Sequence, residues 1–255
     1  EAYSKAGVFK PDLDYDAREL KGSDMADGIG KAPLAQQPGT AWEYSLSVDV
    51  QGRVVEAVSG QRLNDFMAQR IFKPLKMADT GFHVPSEKSA RLAEPFPKDP
   101  ATGAANKLLD VSKVPGNDSG GAGAVGTAGD YLRYCQAMLN GGQLEGARIL
   151  SRTTVNLMTS DHLGSAISRT VNPGNLLLGS AGYTFGLGFL VREGDGIAGT
   201  HGTAGEFTWA GYAGTYFWAE PKEQVCAVYM TQAPSPMRAY YRKLMKSLVA
   251  QAIVD

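Results

Sequence analysis

Apolar residues recur along this chain with two different periods, helical up to about residue 180 and alternating after it. Residues 1–40 read as loop with short helical pieces and end in the turn Pro38-Gly39. Val50, Val54, Ala57 and Val58 then recur at helical spacing, with Gly60 placed to cap the helix C-terminus. A second amphipathic helix follows on Leu63, Phe66, Met67 and Ile71, and Pro74 stops it. The stretch 78–120 is rich in Pro, Gly, Ser and charge and predicts long surface excursions. Thr127 with Asp130 three places on predicts a helix start leading into Tyr131–Leu139, and Gly141-Gly142 ends it. Ser151 is placed to cap a short helix carrying Val155 and Met158.

Beyond residue 182 the pattern predicts three strands, Tyr183–Arg192, Glu206–Ala219 and Gln224–Gln232. The last two are joined by the hairpin loop Glu220-Pro221-Lys222-Glu223. A closing helix places Met237, Tyr241, Leu244, Leu248 and Ala252 on one face. Helices first, then an antiparallel sheet with a helix laid across it, predict an α+β architecture. Residues 1–180 form the mainly helical region with long loops, and 181–255 the C-terminal strands and closing helix.

The composition narrows what such a fold can do. Twenty-five Lys+Arg against 26 Asp+Glu in 255 residues give a formal net charge of −1, which argues against a nucleic-acid protein. No apolar run approaches the ~18 residues of a membrane-spanning helix. The 31 glycines exceed the usual ~7% and crowd at 116–129, 141–146, 179–188 and 194–214. Cys135 and Cys226 match no metal or redox spacing and read as free core thiols.

The sequence lacks a Gly-x-Ser-x-Gly elbow, a Walker loop, HExxH and paired CxxC. Only three histidines, His83, His162 and His201, spread along the chain, argue against a histidine-based metal site, and no metal or cofactor is expected. His201, just ahead of the sheet, either lines a cleft or is a polar loop residue. Gly121-Ala-Gly123-Ala-Val-Gly126 matches GxGxxG, but no strand precedes it and no βαβ alternation surrounds it. It reads as a tight loop bordering a substrate cleft or as a connector that needs positive φ. Arg238, Arg242 and Lys246, with Lys243 beside them, form a cationic stripe opposite the apolar one and read as the solvated face of the last helix.

Two segments carry more chemistry. In Pro38-Gly39-Thr40-Ala41-Trp42-Glu43-Tyr44-Ser45-Leu46-Ser47, a tyrosine stands just ahead of a helix, where backbone N–H groups and the dipole favour its anion. A phenol so lowered can act as general base toward a serine hydroxyl. In Glu206-Phe207-Thr208-Trp209-Ala210-Gly211-Tyr212-Ala213-Gly214-Thr215, small residues let a ligand lie against the backbone, where a free N–H can bind an oxyanion. Taken alone, each segment can equally be packing or turn chemistry.

Together and in this order the segments resemble the class C β-lactamase-like serine hydrolases, and most of all the family VIII carboxylesterases. The resemblance runs through Tyr44-Ser45, Ile71-Phe72-Lys73-Pro74-Leu75-Lys76-Met77, Asp79-Thr80-Gly81-Phe82, Ser119–Gly126, Leu139-Asn140-Gly141-Gly142, Trp209-Ala210-Gly211 and Gly214-Thr215-Tyr216-Phe217-Trp218. It implies a β-lactamase/transpeptidase-like fold, an antiparallel sheet flanked by helices, and acyl transfer through the serine of a Ser-x-x-Lys motif. It assigns Tyr44 the proton-moving tyrosine and Trp209-Ala210-Gly211 the strand motif. That motif is Lys-Thr-Gly in the lactamases and Trp-Gly-Gly in the esterases. By the same match the N–H of Tyr212 supplies half of an oxyanion hole, and the nucleophile's own N–H the other half.

Three departures bear on the expectation. Leu46 stands where the lactamases have Asn, and Trp209 where they have Lys; both tilt the chemistry from β-lactams toward esters. Ala210 replaces the middle glycine. No lysine in the chain has a serine three places before it. The family places Ser-x-x-Lys well before the tyrosine, so the motif and the first strands of the sheet are expected ahead of Glu1. They are expected on an N-terminal chain or fragment of the same enzyme. The expected substrate is a small-molecule ester; β-lactam, D-peptide or acyl-transfer chemistry on the same scaffold, or a non-catalytic ligand-binding relative, are the alternatives.

Overall fold

The computed structural model describes residues 2–9, 17–169 and 171–254. In chain order the elements are α1 (Ala2–Lys5), α2 (Gly22–Lys31), β1 (Ala41–Trp42), α3 (Ser47–Ser59) and α4 (Leu63–Met67), the last running into a π-helical turn, Ala68–Phe72. A 3-10 turn at Ser86–Arg91 interrupts the long excursion before α5 (Ala128–Leu139). Then come β2 (Gln143–Leu144), β3 (Ala147–Arg148), α6 (Arg152–Met158), β4 (Ser168–Arg169) and α7 (Pro173–Leu178). The sheet is β5 (Tyr183–Phe185), β6 (Leu190–Arg192), β7 (Phe207–Ala210), β8 (Tyr216–Glu220) and β9 (Val225–Tyr229), and α8 (Arg238–Gln251) closes the chain.

Local chemistry sets most of these boundaries. Thr127 and Ser151 accept from the N–H groups of Asp130 and Thr154, capping α5 and α6. Gly60 ends α3 at φ 69°. The Asp130 carboxylate does not close a capping box; it turns to the Asp79 N–H and Thr80 hydroxyl, tying α5 to the end of the preceding loop. α7 follows from Asn172, which caps it ahead of Pro173 at the first turn, a signal the periodicity does not reveal.

The sheet has five strands in consecutive antiparallel order where the alternation predicts three. Tyr183–Arg192 and Glu206–Ala219 are each a hairpin, because glycines break them. Gly188 takes φ 89° between β5 and β6 and Gly214 takes φ 94° between β7 and β8. The loop at Glu220–Glu223 joins β8 to β9 as expected, in the register Glu220↔Val225.

Each sheet face buries its own cluster. Val191, Phe207, Phe217 and Ala219 pack on Cys135 and Met138 of α5 and Val155 of α6. Tyr183, Leu190, Ala210, Tyr216 and Trp218 pack on Leu178 of α7 and on Met245 and Val249 of α8. Cys135 is fully buried and Cys226 half-buried, both as free thiols.

Two helices sit the other way round from their apolar stripes. On α8 the inward residues are Arg242, Met245, Lys246 and Val249, at the i, i+3, i+4, i+7 positions of one face. Lys246 is only 3% exposed, whereas Leu248 is 53% exposed and Tyr241 and Leu244 also face outward. Arg242 and Lys246 of the cationic stripe are therefore buried, not solvated, because carbonyl and anionic oxygens wait beneath them, while Arg238 and Lys243 stay half-exposed. Lys246 pairs with the fully buried Glu206 carboxylate, which also accepts from Tyr183 Oη at 3.0 Å and lies 3.6 Å from Arg192. Burial outweighs this pairing and pushes Glu206 up and Lys246 down. On α3, Val54 is exposed and Val58 84% exposed, while the buried face is Asp49 and Gly52.

Candidate active site

The site is built where the start of α3 meets the end of β7. β1 pairs in parallel with β4, Ala41 opposite Ser168 and Trp42 opposite Arg169, and this fixes the strand leading to Tyr44. Aromatic rings then continue the path. Trp42 packs on Phe185 with ring centroids 5.4 Å apart, Phe185 on Trp209 at 5.7 Å, and Trp209 on Tyr44 at 5.8 Å. Tyr44 and Trp209, far apart in sequence, are thus in ring contact. Tyr44 keeps 49% of its surface exposed. Its neighbour Ser45 is held by Tyr3, whose Oη lies 2.7 Å from Ser45 Oγ.

The electrostatics of Tyr44 run opposite to the sequence expectation. Burial against its neighbours and the nearby Asp49 carboxylate both push its phenol up, favouring the neutral form. The helix N-terminus does not offset them, since Asp49 in the first turn of α3 brings a negative charge to that end. The phenol here is set to hold its proton, as a donor does.

The strand motif ends in a tight turn. Gly211 N–H donates to Thr215 O at 2.9 Å, and a Cβ at Gly211 would lie 2.0 Å from Thr215 Oγ1, so no other residue fits without a shift. Two arginines of α8 fix the next peptide planes. Arg242 donates to Gly211 O and Arg238 to Tyr212 O, the latter at 3.2 Å with its guanidinium 5.5 Å over the Tyr212 ring. Among the described residues the Tyr212 N–H donates to no backbone carbonyl, and Tyr212 is 68% exposed. Burial and Arg238 together lower the Arg242 guanidinium to about 10. A reading that leaves both arginines on a solvated stripe misses their part in shaping the turn; their spacing from Met245 and Val249 is the signal that finds it.

The glycine loop Ser119–Gly126 packs on the same helix start. Its glycines are absent from the positive-φ positions, so the expected conformational reason gives way to close approach. A Cβ at Gly120 would lie 2.5 Å from Val48 O, and one at Gly121 2.5 Å from Asp49 Oδ2. Ser119 Oγ donates to Asp49 Oδ1, and the Gly121 N–H approaches the same oxygen at 3.5 Å. Asp49, invisible to motif reading, is the hub of this contact. His201 is an exposed loop residue whose carbonyl accepts from Arg192. Among the described residues no cluster of His, Cys, Asp or Glu is grouped to hold a metal ion, and no helix is long and apolar enough to cross a membrane.

Comparison with known proteins places this geometry. The family described as Beta-lactamase matches residues 4–250. Esterase EstB of Burkholderia gladioli is 32% identical over 226 residues, 78% of this chain and 52% of that protein. Lovastatin esterase of Penicillium rubens is 31% identical over 228 residues, 80% of this chain and 54% of that protein. The chain thus spans about half the length of the curated relatives it matches. Among solved structures, "EstCE1, a hydrolase with promiscuous acyltransferase activity" superposes with a TM-score of 0.75 at 24% identity, covering 96% of this chain and 65% of that one, which shows a shared fold. The antiparallel sheet, its flanking helices and the matched residues 4–250 establish that this chain belongs to the beta-lactamase family, the fold family of serine hydrolases, esterases and acyltransferases.

Proposed function

We propose that this chain contributes the tyrosine wall and the oxyanion strand of a serine carboxylesterase cleft. The nucleophile, in a Ser-x-x-Lys motif, comes from a segment N-terminal to Glu1. The observation that carries the reading is the ring contact between Tyr44 and Trp209, which joins the tyrosine motif to the strand motif. In this scheme the serine hydroxyl attacks the ester carbonyl, and its proton passes to the neutral lysine amine. The tetrahedral oxyanion accepts from the N–H of Tyr212 and of the serine itself. Tyr44, kept neutral, donates its own proton to the departing alkoxide and regains one from the lysinium, and water then releases the acyl group.

Two features support the outside source of the serine. No serine in the chain stands three places before a lysine. The apolar stripes of α8 (Tyr241, Leu244, Leu248) and of α3 (Val54, Val58) face outward, and β9 pairs only with β8 among the described residues. An upstream segment adding strands at β9 and a helix over α8 would cover an open edge and an apolar face that a lone chain leaves wet.

Ester rather than β-lactam substrates follow from Leu46 and Trp209 in place of the amide and the ammonium that the lactamases carry. The test is hydrolysis of short-chain p-nitrophenyl esters by the protein with its upstream segment. Tyr44→Phe should lower the rate by roughly 10²-fold or more. Near-normal turnover removes Tyr44 from the mechanism.

A further inference from the structure

Asp49 is a buried carboxylate beside the site that the scheme above leaves unused. It is 7% exposed, on the first turn of the helix that Tyr44 leads into, and no Lys or Arg pairs with it among the described residues. Its partners are instead polar groups of one loop. Oδ1 accepts from Ser119 Oγ and lies 3.5 Å from the Gly121 N–H; Ser119 Oγ in turn accepts from the Ala122 N–H at 3.1 Å. The loop is built for that approach. The Cβ position of Gly120 is filled by the Val48 carbonyl and that of Gly121 by the Asp49 carboxylate, while the Cβ position of Gly52 lies 3.6 Å from Gly120 Cα. Upstream, the Arg62 guanidinium grips Asp118 through Nη2 at 2.7 Å and Nε at 3.2 Å, and Asn117 Nδ2 donates to Ala17 O and Leu20 O.

We propose that Asp49 is a positioning residue of the cleft: its carboxylate latches the glycine loop Ser119–Ala122 onto the first turn of the tyrosine helix. As a latch, Asp49 sets the distance between the glycine loop and the Tyr44–Ser45 backbone, and so the width of one side of the cleft. Beside the latch, the same carboxylate adds to the larger effect of burial in pushing the Tyr44 phenol up. Any catalytic consequence rests on the role proposed for Tyr44, but neither effect needs activity to be read.

The experiment uses the protein with its upstream segment and four variants. Hydrogen exchange at Gly121 and Ala122 reports the latch, and NMR titration of ring-labelled tyrosine, assigned with Tyr44→Phe, reports the charge. Asp49→Ala should speed exchange at both amides at least about tenfold, the scale of losing hydrogen bonds to a charged group. Asp49→Asn, which keeps the acceptor oxygen and the shape, should leave exchange nearly unchanged yet move the Tyr44 midpoint down toward the ordinary phenol value. Ser119→Ala should speed exchange and leave the midpoint in place. Unchanged exchange in both Asp49→Ala and Ser119→Ala overturns the latch. A midpoint that Asp49→Asn does not lower overturns the charge. Should Asp49→Ala fail to fold, Asp49→Asn and Ser119→Ala decide both points. Absence of esterase activity in the unsubstituted protein, with these readings intact, counts against the function proposed for Tyr44, not against Asp49.

Discussion

Replacing Lys246 by Met tests whether α8 is seated with its cations inward. The Lys246 side chain is 4% exposed and its ammonium contacts both oxygens of Glu206, whose side chain has no exposed surface. Removing one partner of a buried pair costs about 3–5 kcal/mol, since the remaining charge is stranded. Here Glu206 keeps Tyr183 Oη at 3.0 Å and Arg192 at 3.6 Å. Its carboxyl is already pushed up by burial, so taking a proton relieves part of the loss. A destabilisation of about 2–4 kcal/mol is expected, lowering Tm by roughly 5–12 °C for a domain of this size. Glu206→Gln combined with Lys246→Met should recover part of that, because no bare carboxylate is left. Leu248→Ser on the exposed face should shift stability by no more than about 0.5 kcal/mol. Thermal unfolding of the three variants is sufficient. A neutral Lys246→Met beside a costly Leu248→Ser would mean that the helix lies on its apolar stripe and the account of α8 is wrong.

Other perturbations discriminate equally plainly. Gly120→Ala must move the Val48 carbonyl and should cost about 1–3 kcal/mol, whereas Gly30→Ala in α2 meets nothing within 4 Å and should stabilise by about 0.5–1 kcal/mol; denaturant titration reads both. Asp79 is held well below the usual carboxylate range by Arg91 at 2.8 Å and Lys88 at 2.7 Å. Its contribution to stability is therefore present above the unfolded value near pH 4 and lost as pH falls through the lower folded value. Asp79→Asn should flatten the fall of Tm with acid in that window, and an unchanged profile would contradict the pairing. The protein with its upstream segment should turn over a simple p-nitrophenyl ester faster than nitrocefin; the reverse preference would refute the argument from Leu46 and Trp209.

Short-range rules made much of this fold legible. Thr127, Ser151 and Gly60 mark helix ends because each boundary is decided by a single side chain or a single φ. The strand count fails where turn glycines lie inside an unbroken alternation, since Gly188 and Gly214 reverse the chain without changing its polarity pattern. The face of α8 fails for a different reason. A periodicity counts apolar residues, whereas burial there is set by Glu206 and by the carbonyls of Gly211 and Leu177, which come from other elements. The same holds at the site. Tyr44 and Trp209 are readable from their motifs, but Asp49 matters only because the chain folds Ser119 onto it 70 residues later. Burial of the ring, with that carboxylate as the smaller cause, also reverses the expected direction of the phenol's shift.

The central claim is that the attacking hydroxyl does not belong to these 255 residues. Labelling with a fluorophosphonate, followed by peptide mass spectrometry, tests it directly. The account predicts that the chain alone stays unlabelled. With its upstream segment present, the label should sit on a serine three places before a lysine, ahead of Glu1. A label on any serine between Ser4 and Ser247 would contradict it.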